Sequence, residues 1–330
     1  MEGFRNDALR AALRTAIGGR RAALEELLTR HGGVHGPAPN FKLAIAFGAE
    51  VALVSDSPDR LLTAFGDDPS PAESLRAFLP VAAAHGWAAL ARAGRDTESA
   101  WAALLELAGD SRRPVRLGVV HALCELSARD EAADALVARA LEWLEVGAPE
   151  VRFAASAVAL EVLSDAHVLG AVRDDERILA YVARAVDVQS DATRAASRLE
   201  GRRRMLTSLA AVCVATVRQL RAADRGSNWM AAECERATHP DVRAALSQAL
   251  LALAKSNVAR GTVERLRKAL EGSAKPLRDA SRVRPGTGRG RPTCVPHWGA
   301  AWSPPTTPTQ CLRRPAGFPP CSPRPTGRRS

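Results

Sequence analysis

Aromatic side chains are scarce in this sequence: they form 4% of its 330 residues, and Tyr181 is the only tyrosine. The six cysteines are irregularly spaced, which indicates neither a disulfide framework nor a zinc module. We expect no membrane span, because no run of about 18 apolar residues occurs, and no secretory signal, because the N-terminal segment is charged and amphipathic. We predict a cytoplasmic protein in which Cys124, Cys213 and Cys234 are small buried hydrophobes in a reducing compartment.

Signatures of catalysis are also missing. No Ser–His–Asp or Cys–His spacing indicates a nucleophile, and the glycine cluster at 286–290 does not lie between a strand and a helix, as a phosphate loop would. Cys294, His297, Cys311 and Cys321 are zinc-ligand types, but the gaps of 14 and 10 residues after His297 match no compact zinc module. We therefore predict no catalytic residue, no metal and no cofactor, and we favour a non-enzymatic role.

A short motif of proline, valine and arginine recurs at the start of segments rich in alanine and leucine. It reads RPVRLGVVHALCEL from Arg113, APEVRFAASAVALEVL from Ala148 and HPDVRAALSQALLALA from His239; a degenerate copy, DATRAASRL from Asp191, keeps the arginine and lacks the proline. The arginines are 36, 42 and 49 residues apart, and self-similarity at such a period indicates stacked helix pairs. The residues assigned to the motif are Pro114, Val115, Arg116, Pro149, Val151, Arg152, Arg194, Pro240, Val242 and Arg243.

Proline in the motif marks the first turn of a helix, where its missing N–H would have had no partner. A second amphipathic segment precedes each motif, so each unit is predicted to be a helix, a short turn and a helix. One such pair cannot bury its apolar face alone, whereas stacked neighbours bury a continuous core. We predict an almost wholly helical stretch over residues 97–270, with turns near 110–113, 147–149 and 237–240.

The motif resembles the HEAT family, including its bacterial short-repeat relatives. The resemblance is good at Pro114–Arg116, Pro149–Arg152 and Pro240–Arg243, weak at Asp191–Arg194, and covers roughly residues 97–270. It implies an all-α solenoid of antiparallel helix pairs. It also implies that the motif arginine ties one repeat to the next through an acidic partner, which we favour over direct contact with another molecule. HEAT proteins share no single activity.

Composition divides the chain into four parts. Glycine and proline mark a linker, and apolar periodicity ends near residue 282. The predicted parts are an N-terminal helical pair or cap (1–31), a linker (32–40), a HEAT-like solenoid (41–282, clearest at 97–165 and 227–254) and a disordered tail rich in proline and arginine (283–330).

The N-terminal part of the solenoid is the least regular. For FKLAIAFGAEVALV, residues 41–54, periodicity alone does not separate strand from helix, and we favour a helix because alanine is abundant. Ser70 and Glu73 have the spacing of a capping box, which predicts a helix beginning there. Pro80 is then expected to break or kink that helix.

The C-terminal tail carries most of the net charge of +10. From Glu271 to Ser330 there are 11 Lys/Arg and 2 Asp/Glu, which leaves 35 basic and 34 acidic residues in the preceding part. The same 60 residues hold 12 of the 21 prolines, so we expect disorder. Because the composition changes abruptly in mid-repeat, a frameshift in the gene is a second interpretation of residues 283–330; the intact mass of the native protein would decide.

Five arginines form a candidate anion-binding ridge. Spacing of i, i+4 and i+8 places three of them on one face of a predicted helix, where nucleic acid or an acidic protein surface would bind. A solvated face with local salt bridges is the alternative, and we favour it. The five are Arg194, Arg198, Arg202, Arg203 and Arg204.

Histidine and tryptophan give the remaining candidates. His121 is predicted to be a buried or half-buried structural histidine, and His85 to lie near a helix end. Four tryptophans are interpreted as core anchors rather than as aromatics lining a groove, where they would stack on a base or an extended peptide. They are Trp87, Trp101, Trp143 and Trp229.

Three functions remain open. We favour a monomeric scaffold or adaptor that binds another protein on the concave face of the solenoid. The alternative is a DNA-binding protein that acts on damaged DNA, similar to the HEAT-like alkylpurine glycosylases; the nearly neutral body argues against it. A third interpretation is an accessory factor in the maturation of another protein. A groove of mixed charge would favour a protein partner, and a basic stripe would favour DNA.

Overall fold

The protein is helical throughout its described parts. A computed structural model describes residues 6–95, 97–127, 130–192, 198–220 and 224–272. These ranges contain helices and connecting turns but no β-strand, so the predicted all-α class is confirmed. None of the helices in them combines the length and the apolar character that a transmembrane span requires.

Contacts divide the chain into two units, Met1–Val283 and Arg284–Ser330, and every described residue belongs to the first. The predicted tail and its cysteine and histidine candidates therefore lie outside the described residues, as does Arg194.

The described ranges form fifteen α-helices. They are α1 (Asn6–Ile17), α2 (Ala22–His31), α3 (Phe41–Leu53), α4 (Asp59–Gly66), α5 (Phe78–Arg92), α6 (Thr97–Ala108), α7 (Arg113–Leu126), α8 (Asp130–Trp143), α9 (Pro149–Leu163), α10 (Ala166–Ala171), α11 (Asp175–Ser190), α12 (Glu200–Gln219), α13 (Arg225–Arg236), α14 (Pro240–Ala254) and α15 (Arg260–Gly272).

Each complete copy of the motif begins a helix. Pro114, Pro149 and Pro240 occupy the first or second position of α7, α9 and α14. The turns that precede these helices coincide with the predicted ones. The ambiguous segment at 41–54 forms α3, which the Asn40 side chain caps by accepting a hydrogen bond from the Leu43 N–H.

Other local predictions are wrong. The predicted capping box at Ser70 starts no helix; Ser74 instead caps a single 3₁₀ turn that leads into α5. Pro80 is the third residue of α5, where it is tolerated, so it neither breaks nor kinks the helix. The short helix α10, capped by Asp165, had no sequence signal that we recognised.

The helices α5 and α9 are buried on all sides. Every residue of Phe78–Leu90 is buried, and so is every residue of Phe153–Leu160. A helix that is apolar all round belongs in the interior. Small residues allow close approach: the Cα of Gly48 on α3 lies so near α5 that an added Cβ would be 2.6 Å from the His85 carbonyl oxygen.

Packing follows the order of the chain. The helices α3, α5, α7, α9, α12 and α14 each contact the next one in that series. On another side, α13 lies between α11 and α15 and contacts both. The N-terminal helices α1 and α2 contact α3 and α5, and their leucines, such as Leu13 and Leu28, join the same core.

Candidate functional site

Two copies of the motif make the same local hydrogen bond. Nη1 of Arg116 donates to the carbonyl of Asp110 at 3.3 Å, six residues earlier, and also to the carbonyl of Ser111. Nη1 of Arg243 donates to the carbonyl of Ala237 at 3.2 Å, again six residues earlier. These carbonyls follow α6 and α13, where a helix end leaves acceptors without partners. The arginine therefore fastens a helix to the one before it.

The same arginines also reach more distant helices. Nη2 of Arg243 donates to the carbonyl of Leu270, near the end of α15, at 2.7 Å. Nη2 of Arg116 lies 3.9 Å from the carboxylate of Glu200, the first residue of α12. The first contact joins α14 to the next helix and the second joins α7 to the distant α12, so these side chains serve the packing of the fold.

The copy on α9 departs from this arrangement. The buried Nε of Arg152 has no hydrogen-bond partner among the described residues, and its guanidinium lies 5.4 Å from the ring centroid of Phe153. Val151 is 37% exposed, whereas Val115 and Val242 are fully buried. Similar sequences at the motif thus do not make identical contacts.

The predicted arginine ridge does not form one helical face. Arg198 is exposed but lies two residues before α12 begins, and Arg202 is 1% exposed. Of the others in the described part, Arg203 is exposed and Arg204 is half-buried. The i, i+4 rule fails because no continuous helix runs from 198 to 202, and because Arg202 points into the core.

Arg202 instead anchors α12 to its neighbours. Its Nη1 donates to Oδ2 of Asp241 on α14 at 2.7 Å, and its Nη2 donates to the carbonyl of Gln189 on α11 at 3.1 Å. The hydrogen bond from Arg202 lowers the pKa of Asp241. The side-chain amide of Gln189 is buried and has no hydrogen-bond partner among the described residues. Asp241 lies in the motif, so the sequence could indicate an acidic residue that binds an arginine at this place. It could not indicate that this arginine would be Arg202.

Two histidines share a contact between α3, α5 and α7. His121 stacks on Phe41 with ring centroids 4.1 Å apart, and its ring lies 5.2 Å from that of His85. His85 is 4% exposed and lies in the middle of α5, not near a helix end as predicted. Burial, then repulsion by His121 and Arg92, lowers the pKa of His85 to about 3. Burial also lowers the pKa of His121, against the attraction of Glu125.

The tryptophans divide into two groups. Trp101 and Trp143 meet in a T-shaped, edge-to-face arrangement between α6 and α8, with centroids 6.3 Å apart and planes at 66°, and both are buried, as is Trp87. These three are core anchors. Trp229 on α13 is only half-buried, and its buried Nε1 has no partner in the described ranges.

The described cysteines are free thiols with little reactivity. Burial raises the pKa of Cys124 and of Cys234 to about 12, and it raises that of Cys213 as well. A thiol that stays protonated is a poor nucleophile and a poor metal ligand. Within the described ranges, no three His, Cys, Asp or Glu residues are grouped as a metal site.

An open slot separates α11 from α13, and we call it the α11–α13 slot. It has a volume of about 600 Å³. Alanine and leucine line its α11 side, and the indole of Trp229 lines its α13 side. Its lining residues are Glu176, Leu179, Ala180, Ala183, Arg225, Asn228, Trp229 and Glu233.

Arginine–carboxylate pairs close both ends of the slot. At one end, Arg225 lies 3.4 Å from Glu176. At the other end, Arg236 bridges to Asp187 at 2.7 Å and to Glu233 at 2.6 Å. Eleven residues separate the two ends on each helix, about 16 Å at the rise of an α-helix. Because the N-terminal ends of α11 and α13 pair with each other, and so do their C-terminal ends, the two helices run parallel and are joined by these pairs.

A second groove lies on the other side of α13, and we call it the α13–α15 groove. Its volume is about 900 Å³. Two acidic and two basic side chains, Glu235, Glu264, Arg265 and Lys268, line it together with alanine and glycine. Arg265 holds α15 to α13 by donating to Oγ of Ser227 at 2.9 Å. Helix α13 is thus flanked by two openings of mixed polarity.

Comparison with known proteins adds no relative: no family model, no curated protein and no solved structure matches this chain.

Proposed function

We propose that this chain is a HEAT-like, non-enzymatic scaffold that binds a segment of another protein along the two openings beside α13. The observation that carries the proposal is the lining of these openings. Alanine, leucine and a half-buried indole alternate there with charges of both signs. Protein interfaces have this character, with an apolar centre, aromatic anchors and a polar rim. A cytoplasmic location and a bacterial type of repeat remain part of the proposal.

The burial of α9 argues against a binding surface on α7, α9 and α12, the helices that follow the turn in each predicted pair. Residues Phe153–Leu160 are covered on all sides, so α9 has no open face over this stretch. By contrast, open space lies between α11 and α13 and between α13 and α15. We therefore assign the partner to these helices rather than to a concave face formed by α7, α9 and α12.

Charge favours a protein over DNA as the partner. Residues 1–270 contain 35 basic and 34 acidic side chains, and neither opening beside α13 has an excess of basic groups. A surface that binds the DNA backbone needs a cluster of lysine and arginine. The basic tail would still attract nucleic acid nonspecifically, so a DNA test must compare duplexes with and without an alkylated base. Equal binding and no base release are expected.

The proposal is tested by filling the slot from an exposed position. Ala180 is exposed on the α11 wall, and Ala180→Trp places an indole in the slot without disturbing the core. Ala244→Trp is the matched control, because Ala244 is also exposed in a helix but lies on α14, away from both openings. Wild type and each variant, as full chains, would be used to capture partners from the source cell.

We expect Ala180→Trp to capture at least about tenfold less of a protein that both wild type and Ala244→Trp capture. The reason is that the apolar centre of an interface carries most of its affinity. Melting curves of the two variants should agree. Retention of the same proteins by Ala180→Trp and wild type would contradict the assignment of the slot.

A further inference from the structure

The α11–α13 slot and the ion pairs at its two ends contain one carboxylate more than they have cations. The acidic groups are Glu176, Asp187 and Glu233, and the basic groups are Arg225 and Arg236. Arg236 serves two carboxylates at once, which leaves Glu233 and Asp187 sharing a single guanidinium. The surrounding body is nearly neutral, so this local excess is a property of the slot.

Glu233 is the most buried carboxylate of the set. It is 4% exposed, yet its side chain lines the slot. Burial raises the pKa of Glu233; the hydrogen bond and the charge of Arg236 act in the opposite direction, and repulsion by Asp187 adds a smaller rise. A buried carboxylate that shares one guanidinium with another carboxylate would be stabilised by an additional cation.

The position of Trp229 defines what kind of cation fits. It lies one helical turn before Glu233, and both line the same slot. An aromatic ring beside a carboxylate attracts a cation through its face, and the apolar surface of Leu179 and Ala183 suits a hydrocarbon stem. A long side chain with a charged end has both parts.

We propose that the α11–α13 slot recognises a lysine or arginine side chain presented by the partner polypeptide. Its stem lies against Leu179, Ala183 and the ring of Trp229, and its charge lies at Glu233. This inference rests on the proposed protein-binding function and names the chemistry that the slot selects.

Peptide pools test this selection directly. Four immobilised pools of about twelve random residues differ only at a fixed central position, which is lysine, arginine, glutamine or glutamate. The full chain should be retained by the lysine and arginine pools at least about fivefold more than by the glutamine pool, the effect of one desolvated cation contact. The glutamate pool should retain least.

Matched variants locate the effect. Glu233→Gln should abolish the preference for basic pools, whereas Glu235→Gln should keep it, because Glu235 lies on the same helix but lines the other groove. Glu176 is exposed, so Glu176→Gln should not disturb folding. It should reduce the preference for basic pools about twofold, because it makes the slot and its ends neutral.

Equal retention by all four pools, or by none, would overturn the inference. So would an unchanged preference in both Glu233→Gln and Glu176→Gln. If Ala180→Trp nevertheless removes a captured partner, the binding function stands and only the basic side chain is wrong. If Ala180→Trp removes no partner while the pools do discriminate, the slot binds cations without being the scaffold's interface.

Discussion

At the scale of single residues, Arg202 is the most demanding group in the core. Its guanidinium is 1% exposed, and among the described residues its carboxylate partner is Asp241. Withdrawing an arginine from water is costly unless the charge is compensated, so the pair restricts how α12 and α14 are placed. A hydrophobic residue at 202 would impose no such restriction.

Neutralising Asp241 should therefore destabilise the fold. Asp241→Asn leaves the buried charge uncompensated, and we expect the free energy of unfolding to fall by about 2–3 kcal/mol, below the range for fully buried pairs because Asp241 is 45% exposed. Glu264→Gln, which breaks the exposed pair with Arg260, should change it by less than about 0.5 kcal/mol. Denaturant unfolding measures both, and equal effects would contradict the role of Arg202.

The buried imidazole of His85 should make stability depend on pH. Its folded-state pKa, about 3, lies below the ordinary value of 6.5, so the unfolded chain binds the proton more readily. Stability is then full above pH 6.5 and falls as the pH drops towards 3. Between pH 7.5 and 5 the loss from His85 should be about 2 kcal/mol.

His85→Leu removes this titration, and the difference in unfolding free energy between the two pH values should shrink by that amount. His121 acts in the same direction and is retained in both proteins, so its own titration is present in both. An unchanged pH dependence in His85→Leu would show that the imidazole is not held neutral.

At the scale of helices, close contact depends on residues without a Cβ. An alanine at 48 would place its Cβ 2.6 Å from the His85 carbonyl oxygen, on the backbone of α5, which cannot move aside alone. Gly48→Ala should lower the free energy of unfolding by about 1–3 kcal/mol. Gly261→Ala on α15 meets nothing within 4 Å and should be neutral or slightly stabilising. Thermal melts of the two variants distinguish helix contact from helix propensity.

The sequence could predict helices where local chemistry decides them. Proline followed by Val-Arg marked the starts of α7, α9 and α14, because the first turn tolerates a missing N–H. Prediction from the sequence failed where tertiary contacts determine where a helix begins. The spacing of Arg198 and Arg202 indicated a common helical face, but α12 begins between these two residues. The α11–α13 slot could not be predicted at all, because it depends on how far apart two helices lie. The sequence favours a core position for Trp229, whereas in the structure its indole lines the slot.

At the scale of the whole described body, one continuous core extends from α1 to α15. In a linear array of repeats, each unit contacts only its neighbours, and stability is a sum of local terms. Here α5 and α9 are each enclosed by several helices, so neither opens without disturbing many contacts. The terminal helix α15 contacts only α13 and α14 extensively.

Hydrogen exchange should therefore follow enclosure rather than position in the chain. Amides in the centres of α5 and α9 exchange only in the largest opening reaction, because both helices are buried all round. We expect these two helices to be the slowest and α15 to be at least about tenfold faster, since one additional 1.4 kcal/mol of opening free energy slows exchange tenfold. Mass spectrometry of peptic fragments after timed labelling gives the rates. Uniform rates along α5, α9 and α15 would mean that the body opens only as a whole, and a smooth gradient from the ends would indicate a simple repeat array.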